Sequence, residues 1–371
     1  MPAKVLIALN TTWNLVNFRI NLIQALLNAG YEVVAVAPPD VYVERLMGVG
    51  CRYVPLPMDN KGTHPGRDLL LLCRFYRLLH RERPDVYLGY TIKPNVYGSL
   101  AAHVKGIPVI NNIAGLGAVF IQGGWLNRFV RGLYRVSLSR SEKVFFQNED
   151  DRHLFVSGRL VNPAVTEHLP GSGVDLDRFS LCSLPNRSTI RFLLIARMLW
   201  DKGVAEFVEA ARTLKSKGID TEFCLLGFLD VQNPAAISRK QMEAWESEGV
   251  VRYLGETDDI RPFIADADCV VLPSYREGVP RTLLEAAAMG RPIVTTDAVG
   301  CREVVDDGVN GYLCRPRDAA DLAEKLQRVA ALSSEERVAM GLRGRAKVEQ
   351  QFDEKIVIKK YLEAIEGVLR G

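Results

Sequence analysis

Several features that would identify a function directly are missing from this 371-residue sequence. Its seven cysteines include no Cys-x-x-Cys pair, so we expect reduced, buried thiols and neither a disulfide framework nor a zinc site. Its five histidines show no metal-ligand spacing and no partners for a catalytic triad. No apolar run approaches the roughly 20 residues that a membrane span needs. The chain leads directly into a predicted strand, and we expect no signal peptide.

Charge is nearly balanced over the whole chain, with a formal net charge of +3 at pH 7, but it is unevenly distributed. Between Arg67 and Lys143 there are 12 basic and 4 acidic residues. This excess indicates an anionic partner for the first half of the chain. Nothing besides the charge favours a nucleic acid as that partner.

The segment 125–136 has the pattern of an amphipathic helix. It places three arginines beside an apolar stripe, and the residues we assign to a membrane-facing surface are Trp125, Arg128, Phe129, Arg131 and Arg135. Such a helix binds at the interface of an anionic membrane. The alternative is an ordinary amphipathic helix that packs on a sheet.

Strand and helix patterns alternate along the chain, beginning with a strand over 4–9, a helix over 18–28 and a strand over 32–37. The alternation restarts at a strand over 190–196, after an irregular stretch. This predicts an α/β protein with two doubly wound, Rossmann-like domains, which we place at 1–182 and 183–351. Ligands of such sheets bind beyond the carboxyl ends of the strands, so we expect a site in a cleft between the facing domains.

Two glutamates bracket the most informative turn. Glu277 and Glu285 lie on either side of a predicted strand–turn–helix junction that follows the apolar strand 269–274. The N-terminus of a helix binds phosphate through its free N–H groups, and carboxylates beside it suit sugar hydroxyls. The pattern therefore predicts a nucleotide-sugar site. A capping glutamate and a solvated helix face are the alternative.

Two cations stand on the loop after the strand 192–196. Arg197 and Lys202 are expected at the carboxyl end of that strand, where they could hold a diphosphate and neutralise charge on a leaving phosphate. A loop with ordinary solvated charges is the alternative.

Two Asp-x-Asp pairs, at 175–177 and 266–268, could hold a divalent metal, but neither is predicted at the carboxyl end of a strand. We therefore expect no metal. Asn111 and Asn112 end a predicted strand that leads into a loop containing Gly115, and they could position an acceptor. The segment 306–313 is rich in turn residues and resembles a hairpin.

With these residues in place, the whole chain resembles the retaining glycosyltransferases of family 4, which have the GT-B fold. The resemblance is carried by Glu277-x7-Glu285, by Ile195–Gly203, by Gly173–Phe179 and by Gly300–Glu303. In the first half, Tyr90–Ser99 and Asn112–Gly117 resemble a branch that builds lipid-linked oligosaccharides. That branch includes bacterial transferases that add N-acetylgalactosamine to a sugar on undecaprenyl diphosphate.

The resemblance implies a role for each matching residue. Arg197 and Lys202 would bind the donor diphosphate, Glu285 the ribose hydroxyls and Glu277 the hydroxyls of the donor sugar. The backbone N–H groups that would complete the phosphate site belong to Val279, Arg281 and Thr282. Members of the family need no metal or other cofactor, and their last helix, here 352–371, tends to pack back on the first domain.

The chain departs from the family on the acceptor side. Ala114 stands where many relatives carry His or Glu, and the segment from Asn10 to Asn14 replaces a glycine-rich first loop. We assign Asn14, Asn111, Asn112 and Gly115 to the acceptor side.

These observations together predict an enzyme that moves a sugar, such as N-acetylgalactosamine, from a UDP-sugar to a polyprenyl-diphosphate-linked sugar with retention. We expect it in the cytoplasm, bound peripherally to the inner face of the membrane. A sugar-nucleotide epimerase of the same fold, or a non-catalytic nucleotide-binding membrane adaptor, is the alternative. An epimerase would need proton-transfer groups in the first domain, where few candidates occur.

Overall fold

The computed structural model describes residues 2–59, 64–116, 124–231 and 233–370; for Trp125 it describes the backbone only. The chain divides into two compact units. The first comprises Met1–Ser172 together with Lys355–Gly371, and the second comprises Gly173–Glu354. The division falls earlier than the boundary we placed after residue 182. The reason is that Val174 donates its backbone N–H to the Phe352 carbonyl at 2.9 Å and Phe179 packs in a core of the second unit.

The first unit is built on a parallel sheet. Its strands are β1 (Lys4–Ala8), β2 (Glu32–Ala37), β3 (Arg52–Pro55), β4 (Val86–Tyr90), β5 (Val109–Ile113), β6 (Lys143–Phe146) and β7 (Thr166–His168). Their order across the sheet is β3-β2-β1-β4-β5-β6-β7, with every neighbouring pair parallel.

Helices connect these strands. They are α1 (Thr12–Phe18), α2 (Ile20–Asn28), α3 (Val43–Met47), α4 (Pro65–Glu82), α5 (Ser99–Val104), α6 (Trp125–Ser137) and α7 (Glu149–Ser157). A π-helical turn over Pro94–Gly98 leads directly into α5.

The second unit repeats this plan. Its strands are β8 (Ile190–Ile195), β9 (Thr221–Leu226), β10 (Arg252–Tyr253), β11 (Cys269–Leu272), β12 (Ile293–Thr296) and β13 (Gly311–Cys314), in the order β10-β9-β8-β11-β12-β13 and all parallel. Its helices are α8 (Val204–Ser216), α9 (Arg239–Ser247), α10 (Arg261–Ala265), α11 (Arg281–Ala288), α12 (Ala319–Ala331) and α13 (Ser334–Gln351). The expectation of two doubly wound Rossmann-like sheets is confirmed.

Both faces of each sheet are apolar, which explains the continuous hydrophobic runs in the strands. Successive residues of a strand point to opposite faces. In β1, Val5 and Ile7 lie in one buried cluster while Leu6 and Ala8 lie in another. In β8, Phe192 and Leu193 are divided in the same way between two clusters.

The last helix, α14 (Glu354–Arg370), returns to the first unit. Tyr361 is 1% exposed, and its ring lies 5.0 Å from that of Phe145 and 5.9 Å from that of Tyr90. Its hydroxyl accepts a hydrogen bond of 2.7 Å from the Asn112 side chain. These contacts fix the helix against the carboxyl ends of β4 and β5.

Two local predictions were wrong. The segment 306–313 is not a hairpin, because Gly311–Cys314 pairs in parallel with β12 and the preceding turn is closed by Asn310, whose side chain accepts from the Asp306 N–H at 2.7 Å. The segment 10–14 is not all loop. α1 begins at Thr12, since Thr11 caps it through Asn14 and Asp40 accepts from its first N–H groups.

Most of the cysteines are buried. Five of the seven cysteines are buried, but Cys73 is exposed and Cys182 is partly exposed. Burial raises the pKa of Cys51 to about 11 and that of Cys224 to about 12, which disfavours the reactive thiolate.

Within the described residues, no helix combines the length and apolar character that crossing a bilayer requires.

Candidate active site

The carboxyl edge of the second sheet brings together the loops that the sequence singled out. β8 and β11 are parallel neighbours, so the loop after each strand leaves the sheet at the same edge. The two loops are joined by hydrogen bonds, since the Tyr275 N–H donates to the Asp201 carbonyl at 3.0 Å and the Ser274 hydroxyl donates to it at 3.2 Å.

Lys202 and Glu277 meet across this junction. The Lys202 ammonium donates to Glu277 Oε1 at 2.5 Å, and both side chains are largely buried, with 15% and 17% of their surface exposed. The two residues were predicted to bind different parts of one donor, a diphosphate and a sugar. Here the two side chains form an ion pair, which joins the loops after β8 and β11.

Two glycines allow the loops to approach this closely. Gly203 has a φ of +73°, and a Cβ there would lie 2.1 Å from the Pro273 carbonyl oxygen. Gly300 has a φ of +81°, and a Cβ there would lie 2.4 Å from the Glu277 carbonyl oxygen. Any side chain would force the backbone apart at either position. The Glu277 N–H also donates to the Val299 carbonyl at 2.9 Å, so the loop after β12 supports Glu277.

A tyrosine network that the sequence analysis did not find lies behind this pair. The Tyr275 hydroxyl donates to Glu206 Oε1 at 2.6 Å, and the Arg317 guanidinium lies 4.7 Å from the centre of the Tyr275 ring. These contacts attach Tyr275, two positions before Glu277, to Glu206 of α8. Only the position of Tyr275 beside Glu277 could have indicated it from the sequence.

Arg197 lies on the same loop as Lys202 but is differently placed. Its side chain is exposed, and it has no hydrogen-bond or ion-pair partner in the described part of the chain. It is therefore available to an anion without first losing a partner.

α11 presents its N-terminus at the same edge. Pro280 is the N-cap and gives the helix no side-chain hydrogen bond. The backbone N–H groups in the first turn of a helix have no partner within the helix, which is why helix N-termini bind phosphate. Arg281 and Thr282 belong to this first turn, and Val279 lies in the loop before it. One turn on, Glu285 is 7% exposed and pairs with Arg281 Nε at 2.9 Å. Burial raises the pKa of Glu285, while the positive charges of Arg281 and Arg178 oppose that rise.

The two Asp-x-Asp pairs have other partners. Asp175 accepts from the backbone N–H groups of Asp177 and Arg178, so it closes a turn. Asp266 and Asp268 both pair with Arg187, each at 2.8 Å. Among the described residues, no group of three or more His, Cys, Asp or Glu is arranged to hold a metal ion.

The predicted acceptor residues of the first unit divide into two sets. Asn111 and Asn112 are fully buried and serve the fold. Asn111 donates to Asn95 Oδ1 at 2.9 Å and to Ser99 Oγ at 2.8 Å, while Asn112 donates to Tyr361. Neither side chain lines the cavity described below. The two residues point to opposite faces of the sheet, and both faces are buried.

Unlike Asn111 and Asn112, Gly115 lies at a cavity, and so does Asn10, the residue to which Asn14 is hydrogen-bonded. Asn14 Nδ2 donates to Asn10 Oδ1 at 2.9 Å, and Gly115 has a φ of +127°. Gly115 and Asn10 line a cavity of about 280 Å³ at the carboxyl ends of β1, β4 and β5. The cavity is lined by Asn10, Asp59, Thr91, Ile92, Lys93, Asn95, Ile113, Ala114, Gly115 and Tyr134.

On α6, the predicted membrane residues are also not equivalent. Arg128 and Phe129 are exposed, while Val130 and Tyr134 are buried on the opposite face. Arg131 is only partly exposed, and Arg135 donates to the carbonyl groups of residues 158 and 159 at the end of α7. Arg135 is thus hydrogen-bonded within the first unit, and Arg131 is partly covered. The side chain of Trp125 lies outside the described residues.

The raised pKa of Glu285 predicts a pH effect on stability. A carboxyl group whose pKa is higher in the folded chain binds its proton more tightly when folded. Its favourable contribution is complete below the unfolded pKa and is lost as the pH rises through the folded pKa. We expect the unfolding free energy of wild type, relative to Glu285→Gln, to increase as the pH falls from neutral to mildly acidic. Urea titrations at several pH values measure this, and a difference that does not change with pH would contradict it.

Comparisons with known proteins match both units. The profile of the family "Glycosyl transferase 4-like domain" matches residues 20–171, and that of "Glycosyl transferases group 1" matches residues 189–331. An N,N'-diacetylbacillosaminyl-diphospho-undecaprenol alpha-1,3-N-acetylgalactosaminyltransferase of Campylobacter jejuni is 29% identical over 96% of both chains. A UDP-Gal:alpha-D-GlcNAc-diphosphoundecaprenol alpha-1,3-galactosyltransferase of Escherichia coli is 23% identical over 71% of this chain and 70% of its own.

Solved structures agree with these matches in fold. A glycosyltransferase from Rickettsia africae superposes with a TM-score of 0.81 at 17% identity, covering 100% of this chain and 99% of its own. HepE from Anabaena, solved in complex with UDP, superposes with a TM-score of 0.78 at 17% identity, covering 99% of this chain and 100% of its own. With both units matched, the chain belongs to the group 1 glycosyltransferases of family 4, a family of retaining enzymes with the GT-B fold.

Proposed function

We propose that this glycosyltransferase moves an N-acetylhexosamine, such as N-acetylgalactosamine, from a UDP-sugar to a sugar carried on a polyprenyl diphosphate. The observation that carries the proposal is the match along 96% of the chain to an enzyme whose name specifies an undecaprenyl-diphosphate-linked acceptor. The Escherichia coli relative is also named for such an acceptor, and its donor is a UDP-sugar. The pairing of Lys202 and Glu277 beside the α11 N-terminus supports a donor that carries both a diphosphate and hydroxyl groups.

A front-side displacement suits these residues. The bond between the sugar C1 and the donor phosphate oxygen breaks, and its electron pair stays on the phosphate. The acceptor hydroxyl oxygen bonds to C1 on the same face, and its proton passes to the leaving phosphate oxygen. Arg197 and Lys202 would stabilise the negative charge that develops on the diphosphate. Glu277 would accept hydrogen bonds from the donor sugar, Glu285 from the ribose, and the N–H groups of Val279, Arg281 and Thr282 would contact phosphate.

The test is a transfer assay with a panel of UDP-sugars and a short-chain polyprenyl-diphosphate-linked N-acetylhexosamine. We expect a product that retains the donor's anomeric configuration by NMR, and formation of that product in EDTA, since the cations of the loop after β8 take the place of a metal. Interconversion of UDP-sugars without transfer would instead identify an epimerase. Loss of transfer in EDTA that magnesium restores would return the Asp-x-Asp pairs to consideration.

The contact between Lys202 and Glu277 predicts that substituting Lys202 weakens UDP binding and that substituting Glu277 does not. Lys202→Ala should weaken UDP binding by about 1.5–3 kcal/mol, the range for a hydrogen bond to a charged group. Glu277→Gln should leave UDP affinity unchanged or increase it, because it releases Lys202, and it should lower the transfer rate. Calorimetry with UDP and turnover measurements separate these effects, with Lys217→Ala, at the far end of α8, as the matched control. Equal losses of UDP affinity in both variants would contradict the assigned roles.

Attachment to an anionic membrane through α6 is the remaining part of the proposal. Arg128 and Phe129 offer an exposed cation beside an exposed apolar ring, and Val136 adds apolar surface on the same helix. We expect Arg128→Glu combined with Phe129→Ser to reduce sedimentation with anionic liposomes, since each basic residue near such a surface contributes on the order of 1 kcal/mol. Lys359→Glu, on the exposed side of α14, is the charge-reversal control. Unchanged sedimentation of the double variant would leave α6 as an ordinary surface helix.

A further inference from the structure

The cavity of the first unit is formed by an unusual stretch of backbone. Thr91 follows β4 with a φ of +60°, a left-handed conformation that β-branched residues rarely adopt. The chain then forms the π-helical turn Pro94–Gly98. Backbone strain and π-helical turns both concentrate at functional sites, where surrounding contacts hold them. Here two such features lie in succession, and Thr91 and Asn95 from this stretch line the cavity.

Buried hydrogen bonds fix this backbone. Asn95 is 1% exposed; its Nδ2 donates to the Asn112 carbonyl at 2.8 Å and its Oδ1 accepts from Asn111. The Tyr87 hydroxyl donates to the Pro94 carbonyl at 2.9 Å. The wall of the cavity is thus tied to β4 and β5 by the protein's own hydrogen bonds, as expected of a rigid binding site.

Lys93 is held at this wall by an ion pair. Its ammonium lies 2.9 Å from Asp68 Oδ1 of α4, and the two side chains are 15% and 9% exposed. An ammonium group has three N–H donors, and Asp68 is its one ion-pair partner within the described residues. The remaining donors are available to oxygen atoms of a ligand in the cavity that Lys93 lines.

The charges around the cavity are compensated. Lys93 pairs with Asp68, and Asp59, which also lines the cavity, pairs with Arg67 at 3.0 Å. Lys202 is also paired, but the exposed Arg197 and the N-terminus of α11 lie at the same edge of the second sheet. Among the described residues that line the cavity, Lys93 is the one cation, so the site offers little net positive charge to a phosphate while Lys93 can still donate hydrogen bonds to a neutral oxygen. The side chains of Asn10 and Tyr134 add an amide group and an aromatic ring to the lining, while the Asn95 amide is engaged with Asn111 and Asn112. This chemistry suits a neutral, hydroxylated ligand.

We propose that this cavity binds a single pyranose ring of the lipid-linked acceptor, with Lys93, positioned by Asp68, donating hydrogen bonds to it. The inference rests on the proposed function. The volume of about 280 Å³ is just below the range of roughly 300–1,000 Å³ for ligand pockets, so it suits one ring rather than a longer chain. Ala114, which has only a methyl side chain, is exposed and belongs to the lining of the cavity.

Two substitutions test the site in the transfer assay. Lys93→Met removes the donor and should raise the acceptor KM on the order of 10-fold or more, while the donor KM and the UDP affinity stay unchanged. Ala114→Phe fills the cavity from an exposed position, so it should preserve the thermal stability and also raise the acceptor KM. Lys359→Met is the control. Unchanged acceptor KM in both variants, or an equal rise in donor KM, would overturn the proposal.

A binding measurement separates this inference from the proposed function. Saturation-transfer NMR, with UDP at saturation, monitors methyl glycosides of N-acetylglucosamine and N-acetylgalactosamine. We expect a signal in wild type that persists in Glu277→Gln and disappears in Ala114→Phe. That result supports sugar binding in the cavity whether or not a lipid-linked acceptor is turned over. Failure to turn over such an acceptor would contradict the proposed function and leave the cavity assignment standing. Absence of a signal in wild type, or its persistence in Ala114→Phe, would overturn the cavity assignment.

Discussion

The parallel pairing of β8 with β11 places Lys202 against Glu277, and the rest of the donor-side geometry depends on that contact. The two residues are separated by 75 positions, yet the pairing of Phe192 with Cys269 sets both strands to end at the same edge. The loops that follow are then joined through Asp201 and through the close approach at Gly203. Because a parallel sheet buries both faces, only these edge loops can present polar groups to a ligand.

Charge compensation is the second constraint. An isolated ion in a largely buried position is costly, and the largely buried ions at the two sites are paired with one another. Lys202 pairs with Glu277, Arg281 with Glu285 and Lys93 with Asp68. A donor that carries both a diphosphate and hydroxyl groups could replace both partners of the Lys202–Glu277 pair, with the diphosphate contacting Lys202 and the hydroxyl groups contacting Glu277. The exchange of partners then offsets the loss of the original contact, whereas a ligand with only one of these features leaves one ion unmatched.

The architecture, and the position of Lys202 and Glu277 at one edge of the second sheet, could be predicted because their signals are local. Apolar runs identified most strands, and the loops after β8 and β11 carried charged residues that follow buried strands directly. β13 was missed because its few residues lie beside turn residues that dominate the local pattern. Asn111 and Asn112 could not be placed from sequence, since the face toward which a residue points depends on contacts such as that with Tyr361, 249 positions away from Asn112. Arg135 shows the same limit, because its partners lie on the next helix.

The acceptor side was harder to predict for a further reason: its chemistry depends on backbone shape. The sequence Thr91–Asn95 does not indicate a left-handed threonine followed by a π-helical turn, and the hydrogen bonds that hold this backbone come from Tyr87, from Asn95 and from the Asn112 carbonyl on the next strand. The two sites also differ electrostatically. Among the described residues, Arg197 is an exposed cation without an ion-pair partner beside the paired Lys202, whereas Lys93 at the cavity is paired with Asp68. The edge of the second sheet thus adds an unpaired cation and a helix N-terminus to its ion pair, and the described lining of the cavity adds no second cation, so an anionic ligand is favoured at the first site and a neutral one at the second.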